Sequence, residues 1–429
     1  MTQGRIATGA LWLVALAALL IAPATASAVN PVSFSPGPTM AQHREGAGAA
    51  PLPDGKALVV GGAVDSVTYL DTTELYDPAT NSFSPGPTMP AKLYAPAVAS
   101  LPDGRVLIAG GFDGDLGVDV TTARVFNPQT GAFSPVGDLH VPRELAGTAA
   151  LGDGRVLIVG GFSNSSGSVN STEIFDSTTN TFSEGPTYPQ SAYGLAVAPI
   201  AGGRALAAGG LNSHPNHYVT DASIFGGGTF NPIGALPFHD FEPATAALPG
   251  GRALLAGGND DILGDVTTRA SIFDPATNTF SSNGIGNLIG KRAGAAGVEL
   301  SDGRVLVAGG RDGSGRLAST EILSVPSNTF KAKVKGRKVT LTVSTEGTAQ
   351  TTDVSTQVAT AAKKKKKKKP KLVKTVSKHG GPGTITVKIK LTKQGSAKLR
   401  QKGKLKVRVV YAPDGGVAAT KKLKLRAGK

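Results

Sequence analysis

LPDGRVLIAGG, residues 101–111, decides the fold, because the chain contains six versions of this stretch. The versions span residues 52–62, 101–111, 151–161, 200–210, 248–258 and 300–310, which gives spacings of 49, 50, 49, 48 and 52 residues. A period near 50 residues fits a four-stranded propeller blade and exceeds the helical repeats of about 34 residues. The repeat therefore predicts one unit of secondary structure that occurs six times.

Each version combines a turn, a strand and a stop. Leu-Pro-Asp-Gly at 101–104 is typical of a tight turn, because proline fixes φ and glycine accepts the left-handed conformation of a bulged hairpin. The apolar run at 106–109 predicts a short strand that is buried on both faces. The Gly-Gly pair at 110–111 predicts the end of that strand, at a point where a side chain would obstruct a neighbouring segment.

A second signature follows each Gly-Gly pair. Its first copy is TELYDPATNSFSPGPTM, residues 73–89, in which a strand ending at Tyr76 meets an Asp-Pro turn and returns through Phe83. A second hairpin in each repeat raises the number of strands to four. The residues equivalent to Phe83 in the other copies are Phe133, Phe182, Phe230, Phe280 and Phe330.

These two signatures resemble the kelch repeat, in which a Gly-Gly pair follows the second strand and an aromatic-Asp-Pro turn follows the third. The resemblance covers residues 32–330, and the LPDGRV form is similar to the bacterial and galactose-oxidase-type branch. It implies an all-β, six-bladed β-propeller with an aromatic residue of the fourth strand between blades. Phenylalanine stands where the family commonly has tryptophan, and it keeps most of the apolar area that such packing needs.

The start of the repeat region predicts how the ring closes. FSPGPTM at 34–40 is identical to FSPGPTM at 83–89, so it has the sequence of an outer strand without three inner strands of its own. The sixth repeat runs into basic sequence after Phe330, and its outer strand is weakly specified. We predict that residues 32–37 supply the outer strand of the sixth blade, because an open ring would leave two unpaired edges.

The first 28 residues predict a secretory signal peptide. Arg5 precedes the apolar run 10–22, and Ala26 and Ala28 form a small-residue cleavage site, so cleavage is expected after Ala28. An uncleaved membrane anchor is the alternative. After cleavage the sequence predicts a secreted protein that has no transmembrane segment and that associates with the cell envelope. The chain has no cysteine, so stability is expected to come from a packed core rather than from disulfides.

The charge is divided unequally along the chain. Residues 331–429 carry 29 Lys and Arg against three acidic residues, a net charge of +26, whereas residues 1–330 carry −11. This asymmetry predicts a propeller domain at 29–330 and a second domain at 331–429. Alternating segments such as 384–392 and 404–412 favour a small Ig-like β-sandwich. The segment resembles basic C-terminal modules of secreted actinobacterial proteins.

Seven consecutive lysines interrupt the second domain. Such a block repels itself, so it predicts a disordered loop at 361–371. Behind a signal peptide the available polyanions are wall polymers, acidic polysaccharides and lipid headgroups, and no specific nucleic acid is expected as a partner. A solvated spacer is the alternative interpretation. The candidate polyanion-binding residues are Lys363, Lys364, Lys365, Lys366, Lys367, Lys368 and Lys369.

A candidate ligand site lies upstream of each turn. The positions nine and ten residues before the turn are expected where the innermost strands begin, at the mouth of the central channel. Their arginine, carboxyl and tyrosine groups suit a carboxylate or a sugar. The alternative is that the arginines pair with neighbouring carbonyl groups and acids as part of the fold. The candidates are Arg44, Glu45, Tyr94, Arg143, Glu144, Tyr193, Asp240 and Arg292.

Metal and cofactor chemistry finds little support in the sequence. The copper site of galactose oxidase depends on a tyrosine crosslinked to cysteine, and this chain has no cysteine. His214 and His217 are separated by Pro215 and favour a solvated loop over a metal site. The acidic loops after the Gly-Gly pairs lack the final glutamate of a calcium-binding loop. We therefore predict no cofactor, no metal site and no assigned catalytic residue.

The predicted function is recognition. The sequence favours an exported, non-enzymatic kelch propeller that binds a glycan or a protein partner through its loops, with a basic domain that favours association with anionic envelope polymers. The alternative is a carbohydrate-active enzyme, such as a sialic-acid epimerase, at the channel mouth. Charges that converge on one point would favour the enzyme, whereas charges paired among themselves would favour the binding protein.

Overall fold

The computed structural model describes residues 32–324 except 214–215, 239 and 261–264, and it also describes the strands that follow residue 327. The secondary-structure elements of this described part are all β-strands. The predicted signal peptide and the predicted poly-lysine loop lie outside the described residues. No helix in the described part is long and apolar enough to cross a membrane.

Residues 33–324 form six antiparallel four-stranded sheets, here called blades 1 to 6, as the repeat predicts. The strands of blades 1 to 3 are Gly48–Pro51, Ala57–Val60, Thr73–Asp77 and Ser82–Pro85; Ala97–Ser100, Val106–Ala109, Ala123–Asn127 and Ala132–Pro135; and Gly147–Ala150, Arg155–Val159, Thr172–Asp176 and Thr181–Glu184. Blades 4 and 5 contain Ala196–Ile200, Arg204–Ala208, Asp221–Gly226 and Thr229–Ala235; and Ala244–Leu248, Arg252–Ala256, Ala270–Asp274 and Thr279–Ser281. The first strand of each blade is innermost, and the later strands follow outward.

Blade 6 combines the two ends of the repeat region. Its inner strands are Ala296–Glu299, Val305–Ala308 and Thr320–Ser324, and its outer strand is Ser33–Pro36. Phe34 lies opposite Leu323 in this antiparallel pair and is 7% exposed. Closure therefore joins the start of the propeller to its last repeat.

The Gly-Gly pair is a joint between blades. Gly110 and Gly111 have φ values of 64° and 97°, which other residues rarely adopt. A Cβ on Gly110 would lie 2.6 Å from the carbonyl oxygen of Arg143 in the next repeat, and the Gly111 N–H donates to that oxygen at 2.9 Å. The other pairs meet the equivalent carbonyl groups, those of Leu93, Ala192, Asp240, Arg292 and Arg44.

Apolar clusters fill the space between adjacent blades. In blade 3 the rings of Phe175 and Phe182 lie 4.9 Å apart and belong to the cluster that contains Leu107 and Val125 of blade 2. The predicted packing of aromatic residues between blades is therefore confirmed. The equivalent pairs are Tyr76 with Phe83, Phe126 with Phe133, Phe225 with Phe230, and Phe273 with Phe280.

The strands after residue 327 form two three-stranded sheets. Asn328–Lys335, Lys338–Thr345 and Gly383–Lys390 form the first, here the Thr-containing sheet. Thr352–Gln357, Lys404–Pro413 and Ala419–Arg426 form the second, here the Lys/Arg sheet. Phe330, which the repeat predicts in blade 6, instead lies opposite Val343, so its strand crosses the predicted domain boundary. The Ig-like sandwich stays a prediction.

Candidate functional site

A ring of six residues surrounds one end of the central channel. Their φ values lie between 49° and 65°, and each N–H donates to the carbonyl group of the ring residue in the preceding blade over 2.7–3.1 Å. The ring lines a cavity of about 320 Å³ together with the innermost strands of all six blades. We call this end the channel mouth. The ring residues are Gly46, Ala95, Leu145, Gly194, Glu242 and Gly294.

The residues that vary between repeats meet at this mouth. In every blade the residue before the ring residue pairs with the residue directly after the Gly-Gly pair. Two segments that differ between copies are thus adjacent around the channel. The pairs are Glu45 with Ala63, Tyr94 with Phe112, Glu144 with Phe162, Tyr193 with Leu211, Phe241 with Asn259, and Ala293 with Arg311.

Arg143 is part of the fold rather than of a ligand site. Its side chain is fully buried, and its guanidinium donates to the carbonyl groups of Gly160 at 2.8 Å and Ser171 at 2.9 Å. It also donates to Glu173 at 3.1 Å, and that carboxylate accepts the backbone N–H groups of His140 and Val141. The arrangement fastens the segment that enters blade 3.

The same clamp recurs in blades 1 and 6. Arg44 pairs with Glu74 at 3.1 Å, and Arg292 pairs with Glu321 at 2.9 Å. These two arginines are 1% and 3% exposed, and each also donates to backbone carbonyl groups. Their candidacy as ligand-binding residues is thus corrected, because both guanidinium groups are buried in ion pairs inside the protein. The alternative interpretation, pairing with carbonyl groups and acids, is the arrangement that the structure has.

Asp240 occupies the clamp position in blade 5 and is 2% exposed. Burial raises its pKa well above the usual range, although the charge of Arg269 opposes the shift. Arg269 itself donates to Asp260 at 2.5 Å and lies 4.7 Å from the ring centroid of Phe238. Burial removes Asp240 from the candidate ligand set.

Glu45 lies near the mouth but is already paired. Arg311 Nε lies 2.5 Å from Glu45 Oε1, and Arg316 Nε lies 2.8 Å from Oε2. Arg311 also donates to Glu242 at 2.9 Å. Burial raises the pKa of Glu242 to about 7, while the charge of Arg311 acts against the shift. Two glutamates and two arginines therefore neutralise one side of the mouth.

Sequence reasoning missed Glu242, Arg311 and Arg316. Glu242 stands where the other ring positions have glycine, alanine or leucine, and Arg311 stands directly after a Gly-Gly pair. Both positions could have been found by aligning the six copies and asking where one differs in charge. A glutamate with a φ of 56° is also unusual, and such backbone strain is concentrated at functional sites.

Glu144 is the carboxyl group without a partner on the other side of the mouth. No described residue makes a hydrogen bond or ion pair with its side chain. Burial raises its pKa to about 8, and the charges of Asp119 and Glu242 add to the shift. Asp119 accepts the Asn164 N–H at 2.6 Å through Oδ2, whereas its Oδ1 is buried without a partner among the described residues. A protonated Glu144 can therefore donate or accept a hydrogen bond to a ligand.

Aromatic rings connect the two polar sides. Tyr193 lies 5.2 Å from Phe162 and 5.2 Å from Phe241, measured between ring centroids. Tyr69 lies 6.2 Å from Tyr94 on the other arc. The charges of Glu242 and Glu144 help to raise the pKa of both Tyr94 and Tyr193, although burial is the larger cause. The rings and the carboxyl groups therefore share one mouth.

The far end of the channel is simpler. Glu299 ends the innermost strand of blade 6, and burial raises its pKa. Among the residues that the structure describes, no group of three or more histidine, aspartate or glutamate residues could hold a metal ion. The histidine pair considered above cannot be assessed, because His214 lies outside the described residues.

The free energy of unfolding is expected to fall as the pH rises from about 5 to 8, and Glu144→Gln is expected to make this fall smaller. Because burial raises the pKa of Glu144 to about 8 in the folded chain and its ordinary value is 4.5, the folded chain binds more protons in this window. The contribution of Glu144 is therefore fully present below pH 4.5 and is lost as pH rises through 8. Melting temperature against pH measures the effect. Glu184→Gln, an exposed change in blade 3, is the control, and coincident curves for wild type and Glu144→Gln would refute the expectation.

Comparisons with known proteins agree with the geometry. The kelch motif matches residues 49–90 and 147–187. The solved structure entitled "Structure of YjhT" has a TM-score of 0.55 and 14% identity, and the match covers 71% of this chain and 99% of that one. No curated protein matches the sequence. These findings support a kelch-repeat β-propeller, and the structural likeness extends to the fold alone.

Proposed function

We propose that this protein is a recognition protein whose propeller binds a glycan at the channel mouth. The proposal rests on how the charges are distributed. The three clamp arginines are buried in ion pairs, and Glu45 and Glu242 are held by Arg311. Charges that are paired among themselves favour binding over acid–base catalysis, which needs free groups directed at one point.

The free groups of the mouth suit a sugar. A pyranose ring has apolar C–H faces that pack on aromatic rings and hydroxyl groups that hydrogen-bond with a few polar groups. Tyr193 and its neighbouring rings provide the apolar part, and Glu144 provides a polar group that has no partner among the described residues. A carboxyl group with a pKa of about 8 is mostly protonated at neutral pH, so it can donate as well as accept.

A protein partner is supported by a different surface. Val67, Leu116 and Val118 are 78%, 68% and 49% exposed on the loops of blades 1 and 2. Val67 belongs to the same loop as Tyr69, the other two belong to the loop of Phe112, and these two rings lie 5.1 Å apart. Binding to protein but not to sugar would therefore identify these loops, rather than Glu144, as the recognition surface.

Glu144→Ala is expected to weaken glycan binding by about two- to tenfold, because a hydrogen bond between neutral groups contributes about 0.5–1.5 kcal/mol. Binding is measured on a glycan array and then by calorimetry with the sugars that bind. Glu184→Ala is the control, since it removes an exposed carboxyl group from the outermost strand of blade 3, away from the channel. Equal affinities for wild type and Glu144→Ala would refute the assignment of the mouth.

A carbohydrate-active enzyme is the second candidate function, and one observation favours it. Glu144 and Glu242 interact in one mouth and have pKa values of about 8 and 7, the range suited to acid–base catalysis. An epimerase would show turnover of a sugar that Glu144→Gln abolishes while binding is retained. Loss of binding without any turnover by the wild type would favour recognition.

The proposal also includes export and association with anionic envelope polymers. Export is supported by the order of Arg5, the apolar run 10–22 and the small residues before residue 29. Association is supported by the net charge of +26 at 331–429, which attracts polyanions over distances set by ionic strength. The two parts of the chain thus have separate roles, with recognition in the propeller and retention in the basic segment.

A further inference from the structure

We infer that one face of the Lys/Arg sheet, rather than the lysine run at 363–369, is the site that binds a linear polyphosphodiester. The inference rests on the proposed association with anionic polymers and assigns it to particular positions. Lys404 lies opposite Arg426, Lys406 opposite Lys424, and Arg408 opposite Lys422. Three successive cationic pairs therefore occupy one face, and the six residues are here called the cationic ladder.

The register places the ladder on a single face. Residues two apart on a strand share a face, as do residues directly opposite each other. The alternate positions pair Leu405 with Leu425 and Val407 with Leu423, so the other face is apolar at these steps. A shift by one residue would exchange the two faces, and the apolar pattern opposes such a shift.

The arrangement costs stability without a ligand. Like charges directly opposite each other on a sheet are destabilising, and here three such pairs follow one another. The only acidic residue on this face of the described sheet is Asp353, which lies opposite Ala412 rather than opposite a ladder residue. An anionic ligand would supply the missing neutralisation.

The Thr-containing sheet has a similar charge but another pattern. Its polar face contains six lysines, but Thr340 lies between Lys333 and Lys388, and Thr342 lies between Lys331 and Thr386. Lysines are direct neighbours in one row alone, where Lys338 lies opposite Lys335 on one side and opposite Lys390 on the other. Equal charge with a different arrangement makes this face a control for the ladder.

Spacing and residue type favour phosphodiesters. Ladder residues on one strand repeat every ~6.8 Å along a straight line, which suits a flexible chain with one charge per unit. Four of the six residues are lysines, whose compact charge suits a single phosphate oxygen, whereas bidentate carboxylate recognition favours arginine. A rigid duplex presents its phosphates on a curved surface and fits a straight ladder less well.

The test measures binding of the full chain to labelled poly(glycerol phosphate) over a range of salt concentrations. Changing all six ladder residues to glutamine is expected to lower affinity about 100-fold at low salt and to make the logarithmic salt dependence shallower by about four. The first control changes Lys331, Lys333, Lys335, Lys338, Lys388 and Lys390 to glutamine. The second changes residues 363–368 to glutamine. Both controls remove six charges and are expected to lower affinity less than tenfold.

Several outcomes would overturn the inference. They are equal losses in the ladder variant and the first control, loss mainly in the second control, or tighter binding to duplex DNA or polygalacturonate. Changing the four ladder lysines to arginine preserves charge and should preserve binding, so its failure would also count against the ladder. If removal of residues 331–429 leaves retention on isolated cell walls unchanged, the proposed association itself fails.

Discussion

Arg143→Met is expected to lower the free energy of unfolding by about 3–5 kcal/mol, because it leaves Glu173 buried without its charge partner. The lost guanidinium makes hydrogen bonds to Gly160, Ser171 and Glu173, and its side chain is fully buried. For a domain of this size the loss corresponds to a fall of about 10 °C in melting temperature. Urea and thermal unfolding measure it. Glycan binding by the remaining folded protein should not change.

The controls for this prediction come from the chain itself. Arg155→Met removes a pair with Asp153 in the same blade, but the two side chains are 42% and 52% exposed, so the cost is expected below about 1 kcal/mol. The double change Arg143→Ala and Glu173→Ser copies the residues of blade 4 and should recover part of the loss. A stable Arg143→Met variant that had lost its ligand would restore Arg143 to the binding site.

The clamp could have been recognised from the sequence. The three repeats with arginine at this position, those of Arg44, Arg143 and Arg292, are also the repeats with Thr-Glu at the start of the third strand. Repeats with leucine or alanine at the position have arginine or serine instead of that glutamate. Such agreement within one chain indicates a pair, and pairing inside the repeat indicates a role in the fold.

The fold was predictable because its signals are repeated. Turn, buried strand and Gly-Gly pair recur six times, and each copy adds support to the same blade. The physical reason for the Gly-Gly pair was not predictable from one copy, since the carbonyl group that excludes a side chain at Gly110 belongs to Arg143 in the next repeat. Contacts between repeats need the three-dimensional arrangement.

The mouth was less predictable because its chemistry depends on single copies. Arg311 joins Glu45 of blade 1 to Glu242 of blade 5, although it belongs to blade 6 itself. No spacing rule within one repeat predicts an ion pair among three repeats. The sequence located the positions next to the ring. Only the geometry separated the paired Glu45 from Glu144, which has no partner in the described part of the chain.

Removing residues 29–40 is expected to lower the melting temperature by at least several degrees, because it takes away the outer strand of blade 6. Phe34 leaves the core next to Leu323, and burial of a phenylalanine is worth about 3–5 kcal/mol against alanine. The strand Thr320–Ser324 also becomes an unpaired edge.

The design separates the strand from the rest of the chain. The reference begins at residue 29 and the variant at residue 41, and Phe34→Ala tests the side chain alone. A synthetic peptide of residues 29–40 should raise the melting temperature of the variant as its concentration increases, because it binds only the folded state. The sequence around Phe330 resembles an outer strand and could occupy the vacant edge. An unchanged melting temperature would mean that it does so, and that the N-terminal strand does not lock the ring.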